Sequence, residues 1–174
     1  MKKFLVVVDM QKDFVDGALG TAEAEAIVPN VQKRISEFEG EIFVTLDTHF
    51  ENYLDSAEGK KLPVKHCIKG TEGWALDKGV EQALSHKHYT KVEKVTFGSV
   101  DLPVLIKEAA AGESFSIELI GLCTDICVVS NALLLKANFP ECDISVRASC
   151  CAGVTPQAHE AALATMRSCQ IDIV

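Results

Sequence analysis

The sequence predicts an α/β fold, a three-layer sandwich in which a central, mostly parallel six-stranded sheet is flanked by helices on both faces. Short β-branched or aliphatic runs alternate with longer helical patterns along the 174 residues, and this alternation is typical of parallel βαβ units. The first run, residues 4–8, is apolar at every position, as expected for a central strand that is buried on both faces.

The individual elements follow from hydrophobic periodicity. Ile27, Val31, Ile35 and Phe38 recur at three- and four-residue steps, which gives that helix one apolar stripe to cover a sheet face. The stretch from residue 48 to about residue 74 is irregular, and a loop of that length is usually functional. The predicted strands span residues 4–8, 41–46, 89–95, 115–121, 143–146 and 171–174, and the predicted helices span residues 27–38, 102–111, 125–138 and 156–169.

Composition limits the classes of protein. A chain of 174 residues that is 48% apolar can form one domain with a substantial core, so a single domain over residues 1–174 is expected. The net charge of -8 and the dispersed basic residues argue against a nucleic-acid partner. The apolar runs are far shorter than the roughly 20 residues of a membrane helix, so no membrane span is expected.

The cysteines indicate a reducing compartment. Seven is an odd number, and their spacing lacks the regularity of a small disulfide scaffold. The apolar run that begins at Phe4 stops at Asp9, and no small-residue cleavage site follows it, so a secretory signal is not expected. A cytoplasmic location fits best.

Reactive side chains follow four of the predicted strands. In an open parallel sheet, ligands bind beyond the carboxyl ends of the strands. Asp9 follows the first strand, Asp47 the second and Lys94 ends the third, while Cys123 and Cys127 follow the fourth. We therefore expect these groups to meet at one rim of the sheet.

Cys127 is the candidate nucleophile. Thr124 or Asp125 is a plausible N-cap, which puts Cys127 in the first turn of a helix, where unpaired N–H groups and the helix dipole lower the pKa of a thiol. The alternative is that Cys127 is a small buried apolar residue. Cys123 competes for the same role or could pair with Cys127, but its backbone N–H is expected to matter more than its sulfur. The other cysteines are interpreted as packing residues: Cys67, Cys142, Cys150, Cys151 and Cys169.

Asp9 and Lys94 are candidates for the groups that would activate this thiol. A partly desolvated carboxylate at the end of an apolar strand can act as a general base. A lysine beside it can favour a thiolate electrostatically. The alternatives are an Asx turn for Asp9 and a solvated side chain for Lys94.

Asp47, His49 and His66 form a candidate metal site. One carboxylate and two imidazoles suit a divalent zinc, manganese or iron ion, and Glu58 is a further candidate ligand, directly or through water. Ordinary surface histidines in a long loop are the alternative interpretation. His86, His88 and His159 show no pattern of partners, and we interpret them as surface residues.

Three aromatic residues could wall a slot for a flat ring, namely Phe14, Trp74 and Phe97. Core packing is the alternative for each of them.

Taken together, the motifs resemble those of the isochorismatase-like cysteine hydrolases over nearly the whole chain. The matching segments are DMQKDF at 9–14, DTH at 47–49, HCIKGT at 66–71, KVTFGS at 94–99 and GLCTDICV at 121–128. The last of these is the most specific. Family members that act as isochorismatases lack the nucleophilic cysteine, so Cys127 indicates the amidase branch, with nicotinamidases as the nearest relatives.

This resemblance implies roles for the candidate residues. It makes Asp9, Lys94 and Cys127 a catalytic triad. It makes Asp47, His49 and His66 metal ligands, with Glu58 as a candidate fourth. It also implies a cis peptide between residues 122 and 123, which aims the N–H groups of Cys123 and Cys127 into an oxyanion hole. Phe14 would lie against the substrate ring, with Trp74 as a second candidate.

The expected reaction is therefore hydrolysis of nicotinamide to nicotinate and ammonia through a thioester on Cys127. The expected partners are a small-molecule amide and a divalent metal, most often zinc, and family members are often homo-oligomers. An amidase for ureido or carbamoyl substrates is the alternative within the family. A noncatalytic relative that binds a ligand or metal, and a thiol-redox protein built on Cys123 and Cys127, are alternatives from other classes.

Overall fold

The computed structural model describes all 174 residues and contains one sheet of six strands. Every pair of neighbouring strands is parallel, and the strand order is β3-β2-β1-β4-β5-β6. This confirms the predicted sheet. The strands are β1 Lys2–Val8, β2 Glu41–Asp47, β3 Tyr89–Lys94, β4 Phe115–Leu122, β5 Asp143–Ala152 and β6 Asp172–Ile173.

Seven helices connect the strands, and three of them were not predicted. The unpredicted helices α1, α3 and α4 are four, five and seven residues long, too short to show a clear helical periodicity. The helix predicted from Ile27 begins earlier, at Ala22, because the Thr21 side chain accepts a hydrogen bond from the Ala24 N–H and caps it. The helices are α1 Lys12–Val15, α2 Ala22–Glu37, α3 Ala57–Lys61, α4 Lys78–Leu84, α5 Leu102–Ala110, α6 Val129–Asn138 and α7 Pro156–Ser168.

The helices cover both faces of the sheet, which confirms the three layers. Alternate residues of β1 belong to different cores: Val6 packs with α5, α6 and α7, whereas Leu5 and Val7 pack with α2 and α4. Each fully buried aliphatic side chain contributes roughly 1.5–3 kcal/mol. The continuous apolarity of β1 therefore reflects its burial on both faces.

The C-terminal strands differ from their predicted bounds. The strand predicted to end at Val146 continues to Ala152, with an irregularity in its pairing to β4 between Leu119 and Gly121. Arg147 and Ser149 interrupt the apolar pattern of this extension, which explains why periodicity missed it. The last strand is shorter than predicted and contains only Asp172 and Ile173.

Glu118 ties α2 to the sheet. Its carboxylate accepts paired hydrogen bonds from Arg34 of α2 at 2.7 and 2.8 Å, and from Arg147 of β5 at 2.8 and 3.2 Å. Burial opposes the charge of Glu118, but the two arginines outweigh it and lower the pKa of this carboxyl. The network lies in the sheet, away from the reactive strand ends.

Gly121 lets β1 and β4 approach closely next to those strand ends. Its φ is +117°, and a Cβ at this position would lie 2.1 Å from the Val8 carbonyl oxygen. Only glycine fits this combination of backbone angle and space. The loop that leaves β4 therefore starts directly beside the end of β1.

None of the helices has the length and hydropathy that a membrane crossing requires.

Candidate active site

Asp9, Lys94 and Cys127 meet at the carboxyl edge of the sheet. The Lys94 Nζ lies 2.6 Å from Asp9 Oδ2 and 3.4 Å from Cys127 Sγ. It also lies 3.4 Å from Asp47 Oδ1. All four residues are buried, so one ammonium group joins the predicted catalytic residues to the predicted metal site. Neither Asp9 nor Lys94 is a solvated surface group.

The charges in this cluster favour an ion pair beside a neutral thiol. Burial opposes the charge of Lys94, but attraction to Asp9, Cys127 and Asp47 outweighs it and raises its pKa. Burial raises the pKa of Asp9 against the pull of Lys94. Burial, followed by the negative charge of Asp9, raises the pKa of the Cys127 thiol well above its ordinary value.

This result corrects the expectation that the helix start lowers the pKa of Cys127. The segment Thr124–Val128 forms a π-type turn before α6, and the Cys127 side chain is buried within it. A helix terminus typically contributes up to about 2 kcal/mol, whereas desolvating a charge in a buried site costs several kcal/mol, and the charge of Asp9 adds repulsion that opposes the attraction of Lys94. The resting thiol is therefore protonated, and a base is required to ionise it.

Thr45 orients the carboxylate of Asp9. Its hydroxyl donates a 2.6 Å hydrogen bond to Asp9 Oδ1. The Asp9 N–H is 3.2 Å from both the carbonyl oxygen and the side-chain oxygen of Thr45. Asp9 itself adopts a φ of +48°, which turns the chain directly after β1.

The turn after β4 carries the nucleophile. The peptide bond between Leu122 and Cys123 is cis, as predicted. The Cys123 carbonyl accepts hydrogen bonds from the N–H groups of Ile126 and Val128 at 3.0 and 3.1 Å. Burial raises the pKa of the Cys123 thiol to about 12, so this sulfur is protonated at neutral pH.

Asn131 connects this turn to the loop that follows Lys94. Its side chain is buried and donates to the carbonyl oxygens of Cys127 at 2.8 Å and Phe97 at 3.2 Å. It also accepts a 2.9 Å hydrogen bond from the Ser99 N–H. Both the oxygen and the nitrogen of the Asn131 amide therefore hold the nucleophile turn to the loop that follows Lys94.

Asp47, His49 and His66 form a compact set of metal-ligating atoms. One ligand atom from each residue lies within 4.8 Å of the others, and all three residues are buried. Asp47 Oδ2 is 2.8 Å from His49 Nε2 and 3.5 Å from His66 Nε2. Burial opposes the charge of Asp47, but its close contacts with His49 and His66 and the charge of Lys94 outweigh burial and lower its pKa. The carboxylate is thus ionised, as a metal ligand must be.

The histidine geometry also fits a metal. His66 Nδ1 lies 2.8 Å from the Val64 carbonyl oxygen, an arrangement that places the ring proton on Nδ1 and leaves the Nε2 lone pair free. His49 Nε2 is buried and has no hydrogen-bond partner. The Nε2 atoms of both imidazoles face the Asp47 carboxylate, at 2.8 and 3.5 Å from Oδ2.

Glu58 lies beside this set of atoms. Its Oε1 is 3.6 Å from the Nε2 atoms of both His49 and His66. Its side chain is 23% exposed, against 9% or less for the histidines and Asp47. This position suits a contact through water as well as a direct one.

Gln11 holds the main chain of Asp47. Its side-chain amide donates to the Asp47 carbonyl oxygen at 2.9 Å and accepts from the Asp47 N–H at 2.8 Å. It also donates to the Trp74 carbonyl oxygen at 2.9 Å. The loop after β1, the end of β2 and the long 48–74 segment are therefore joined at the metal site.

A cavity of about 740 Å³ opens over these groups. Phe14 and Phe97 line it, together with Cys123, Cys127 and the residues of the metal site. Trp74 does not line it, so its predicted place in the pocket was wrong. The Trp74 indole N–H donates to the Thr48 hydroxyl at 3.0 Å and the ring packs against the core beneath α2 and α4.

The segments around this cavity match a known family. The Isochorismatase domain model matches residues 3–174. The chain belongs to the isochorismatase family. The match confirms the resemblance carried by the five sequence motifs, and it extends over nearly all of the chain.

Three solved structures of similar proteins cover almost the whole chain. Nicotinamidase PncA from Bacillus subtilis is 26% identical with a TM-score of 0.85, covering 100% of this chain and 99% of that one. A Pyrococcus horikoshii pyrazinamidase in complex with zinc is 25% identical with a TM-score of 0.81, covering 100% and 99%. An N-carbamoylsarcosine amidase from Thermoplasma acidophilum is 26% identical with a TM-score of 0.80, covering 99% and 95%.

Three residues that hold the site together were not singled out from the sequence: Thr45, Gln11 and Asn131. The interpretation of His159 as a surface residue without a partner was wrong, because its Nδ1 lies 2.8 Å from the Thr124 hydroxyl in the nucleophile turn. Thr45 is the one polar residue between Ile42 and Leu46. A polar residue inside an otherwise apolar strand is a signal that could have found it.

Proposed function

We propose that this chain is a cysteine-dependent amidohydrolase that converts nicotinamide and water to nicotinate and ammonia through a thioester on Cys127. The observation that carries the proposal is the position of the Lys94 ammonium, which contacts Asp9, Cys127 and Asp47 at once. A nucleophile and its base are thereby held next to a metal-ligating cluster in one cavity. The protein is an enzyme that acts on a carboxamide C–N bond.

In the first half of the reaction, Asp9 takes the proton of the Cys127 thiol. The thiolate attacks the carboxamide carbon, while Lys94 stays protonated between the two. The raised pKa of Asp9 brings its basicity closer to that of the thiol. The backbone N–H groups of Cys123 and Cys127 are proposed to stabilise the tetrahedral oxyanion, at roughly 3 kcal/mol for each donor.

In the second half, the tetrahedral intermediate breaks its C–N bond. Asp9 returns its proton to the departing ammonia, and an acyl thioester remains on Cys127. Asp9 then accepts a proton from a water molecule that attacks the thioester carbon. Nicotinate leaves, and the proton returns to the Cys127 sulfur.

We propose that zinc occupies the site formed by Asp47, His49 and His66, with manganese or iron as the alternatives. The donor set, one carboxylate and two imidazoles with open positions remaining, suits such ions. The unpartnered His49 Nε2 and the Nδ1 contact of His66 with Val64 support this assignment. When bound, the ion would supply a Lewis-acid contact for the pyridine nitrogen of the substrate. Glu58 is proposed to act through a water molecule.

The metal site is what favours nicotinamide over a ureido or carbamoyl substrate. Sequence identity does not separate the two, because the nicotinamidase and the carbamoylsarcosine amidase are equally similar to this chain. A pyridine nitrogen is a ligand for the open positions of a metal, whereas a small ureido substrate offers no ring nitrogen. Phe14, whose ring centroid is 5.5 Å from that of His66, is proposed to lie against the substrate ring.

We also propose that the enzyme works in the cytoplasm on a small-molecule amide. All seven cysteines are free, including the buried pair of adjacent residues Cys150 and Cys151. A reducing compartment keeps the nucleophilic sulfur of Cys127 in its active form. A homo-oligomer remains a prediction.

The decisive experiment is a Cys127→Ala variant assayed for ammonia and nicotinate with nicotinamide as substrate. We expect turnover to be abolished, because Cys127 carries the sulfur that lies beside the Lys94 ammonium, while the circular dichroism spectrum and bound metal match the parent protein. Cys169→Ala is the matched control, since Cys169 is exposed and outside the cavity. Substantial turnover by the Cys127→Ala variant, or none by the parent protein, would refute the proposed function.

A further inference from the structure

Exposed apolar side chains gather around the mouth of the cavity. Ten large hydrophobic residues of the chain are exposed, and four of them line this one cavity: Leu62, Val95, Phe97 and Val154, with exposed fractions of 38%, 63%, 47% and 50%. They follow α3, β3 and β5, so they come from separate loops rather than from one helix face. An exposed apolar cluster of this kind on a soluble protein marks a binding surface.

The cavity is divided by polarity from its floor to its mouth. The ionisable groups at its floor are buried: Cys127 is 4% exposed, His66 is 2% and Asp47 is 3%. Four of the residues at its mouth are apolar and about half exposed, and they lie beside the exposed polar residues Ser56, Lys61 and Thr96. The floor can therefore bind the reacting amide and a ring nitrogen, and the apolar part of the mouth can bind groups that gain from leaving water.

The cavity is too large for nicotinamide alone. Nicotinamide has nine non-hydrogen atoms, and even at roughly 30 Å³ for each, the volume of a whole water molecule in the liquid, they would fill no more than about 270 Å³. The cavity has about 740 Å³. Cavities of roughly 300–1,000 Å³ hold drug-sized ligands. More than half of the space over the catalytic residues is left for other atoms.

We propose that the mouth of the cavity is a subsite for an apolar substituent on the substrate ring, so that this enzyme prefers heteroaromatic carboxamides with such a substituent to nicotinamide itself. Leu62, Val95, Phe97 and Val154 form the subsite. This inference rests on the proposed function, because it takes the carboxamide to be at Cys127 and the ring nitrogen to be at the metal site.

That orientation identifies the position of the substituent. The ring nitrogen and the carboxamide carbon flank ring position 2, so both buried contacts hold the same edge of the ring. Position 5 is opposite position 2 and points away from the floor of the cavity. A substituent at position 5 therefore extends toward the apolar mouth.

The test compares kcat/KM for nicotinamide with that for its 5-methyl, 5-propyl and 5-phenyl derivatives, using the protein with its metal as purified. Each methylene that leaves water at the mouth is expected to raise kcat/KM by up to about fourfold. A 5-carboxy derivative is included because Lys61 is the one lysine or arginine that lines the cavity. If the 5-carboxy compound is preferred to the 5-phenyl compound, Lys61 sets the specificity and the proposal is wrong.

Substitutions at the mouth supply the second measurement. Val154→Ser and Phe97→Ser should each lower the ratio of kcat/KM for the 5-propyl compound to that for nicotinamide by about three- to tenfold. Val104→Ser is the matched control, because Val104 is 55% exposed on α5 and does not line the cavity. It should leave that ratio unchanged.

Binding to a Cys127→Ser variant separates a failure of the subsite proposal from a failure of the proposed function. Calorimetry should give a lower Kd for the 5-propyl compound than for nicotinamide. If nicotinamide is hydrolysed but the 5-alkyl compounds bind and react no better, the subsite proposal fails and the proposed function stands. If no carboxamide of the series binds or is hydrolysed, both are overturned.

Discussion

Replacing Thr45 with valine should shift the pH dependence of the enzyme. The Thr45 hydroxyl donates a 2.6 Å hydrogen bond to Asp9 Oδ1, in a place where neither side chain is exposed. Valine keeps the branched shape of threonine but cannot donate. The Asp9 N–H remains bonded to the Thr45 carbonyl oxygen, so the substitution removes mainly the bond to the carboxylate.

The size of the shift follows from the strength of that bond. A hydrogen bond to a charged group is worth roughly 1.5–3 kcal/mol, and 1.36 kcal/mol corresponds to one pKa unit. The bond favours the ionised form and lowers the pKa of Asp9. Its loss should therefore raise that pKa by about one to two units. Because the base must be ionised to accept the thiol proton, activity should be lost at a higher pH in the variant.

The assay is kcat/KM for nicotinamide from acid to neutral pH. The acid limb of the Thr45→Val profile should move up by about one to two pH units, with kcat/KM below the limb reduced roughly ten- to hundredfold. Above the limb the two enzymes should differ much less. Thr45→Ser is the control, because it retains the hydroxyl, and its limb should stay close to that of the parent enzyme.

An unchanged acid limb in a folded Thr45→Val enzyme would refute this reasoning. It would mean that the group whose ionisation controls kcat/KM is not Asp9. A limb that moved equally in Thr45→Ser would assign the effect to packing around the methyl group rather than to the hydrogen bond.

Three other substitutions test the metal site, the loop connection and the sheet. His66→Ala should lower the metal content of the protein below one ion per chain, as measured by elemental analysis of protein purified without added metal. A variant with the same metal content as the parent protein would refute the proposed metal site. Asn131→Leu should destabilise the protein by about 2–4 kcal/mol, because its buried hydrogen-bond partners are left unpaired; thermal unfolding checks this, and a melting temperature equal to that of the parent would contradict it. Glu118→Gln should lower the free energy of unfolding by about 1–2 kcal/mol at neutral pH. Since the pKa of Glu118 is lowered in the folded state, this difference should shrink in urea titrations as the pH falls through that pKa, and a difference independent of pH would exclude the carboxylate as its source.

The strand-end rule explains why much of the site could be predicted from the sequence. Parallel strands deliver the residues that follow them to one edge, so the ends of β1, β2, β3 and β4 had to meet whatever the details of packing. The meeting of Asp9, Lys94 and Cys127 depends on that topology. Their distances could not be predicted, since they also depend on strand register and on the turn after β4.

The residues that support the site depend on details that a one-dimensional pattern does not contain. Thr45 reaches Asp9 because β1 and β2 pair with Val8 opposite Thr45, and register cannot be read from either strand alone. Asn131 lies in a helix whose apolar and polar residues follow no clear order, so the sequence does not mark it as a buried residue. Its role in joining two loops becomes visible only in the structure, where it contacts the loop that contains Phe97. Trp74 illustrates the opposite error, because an aromatic residue near a predicted site can serve the core instead.

The neutral thiol of Cys127 changes how the mechanism should be understood. A stable thiolate would add a second negative charge beside Asp9 in a buried site, which desolvation and repulsion both oppose. The proposed proton transfer from Cys127 to Asp9 avoids this, because it replaces a carboxylate with a thiolate and leaves the number of negative charges around the Lys94 ammonium unchanged. Lys94 contacts both partners, at 2.6 and 3.4 Å, so it stabilises the negative charge before and after the transfer. Burial therefore keeps the resting thiol protonated and unreactive. Proton transfer to Asp9 still allows the sulfur to attack the carbon of a carboxamide that is bound beside it.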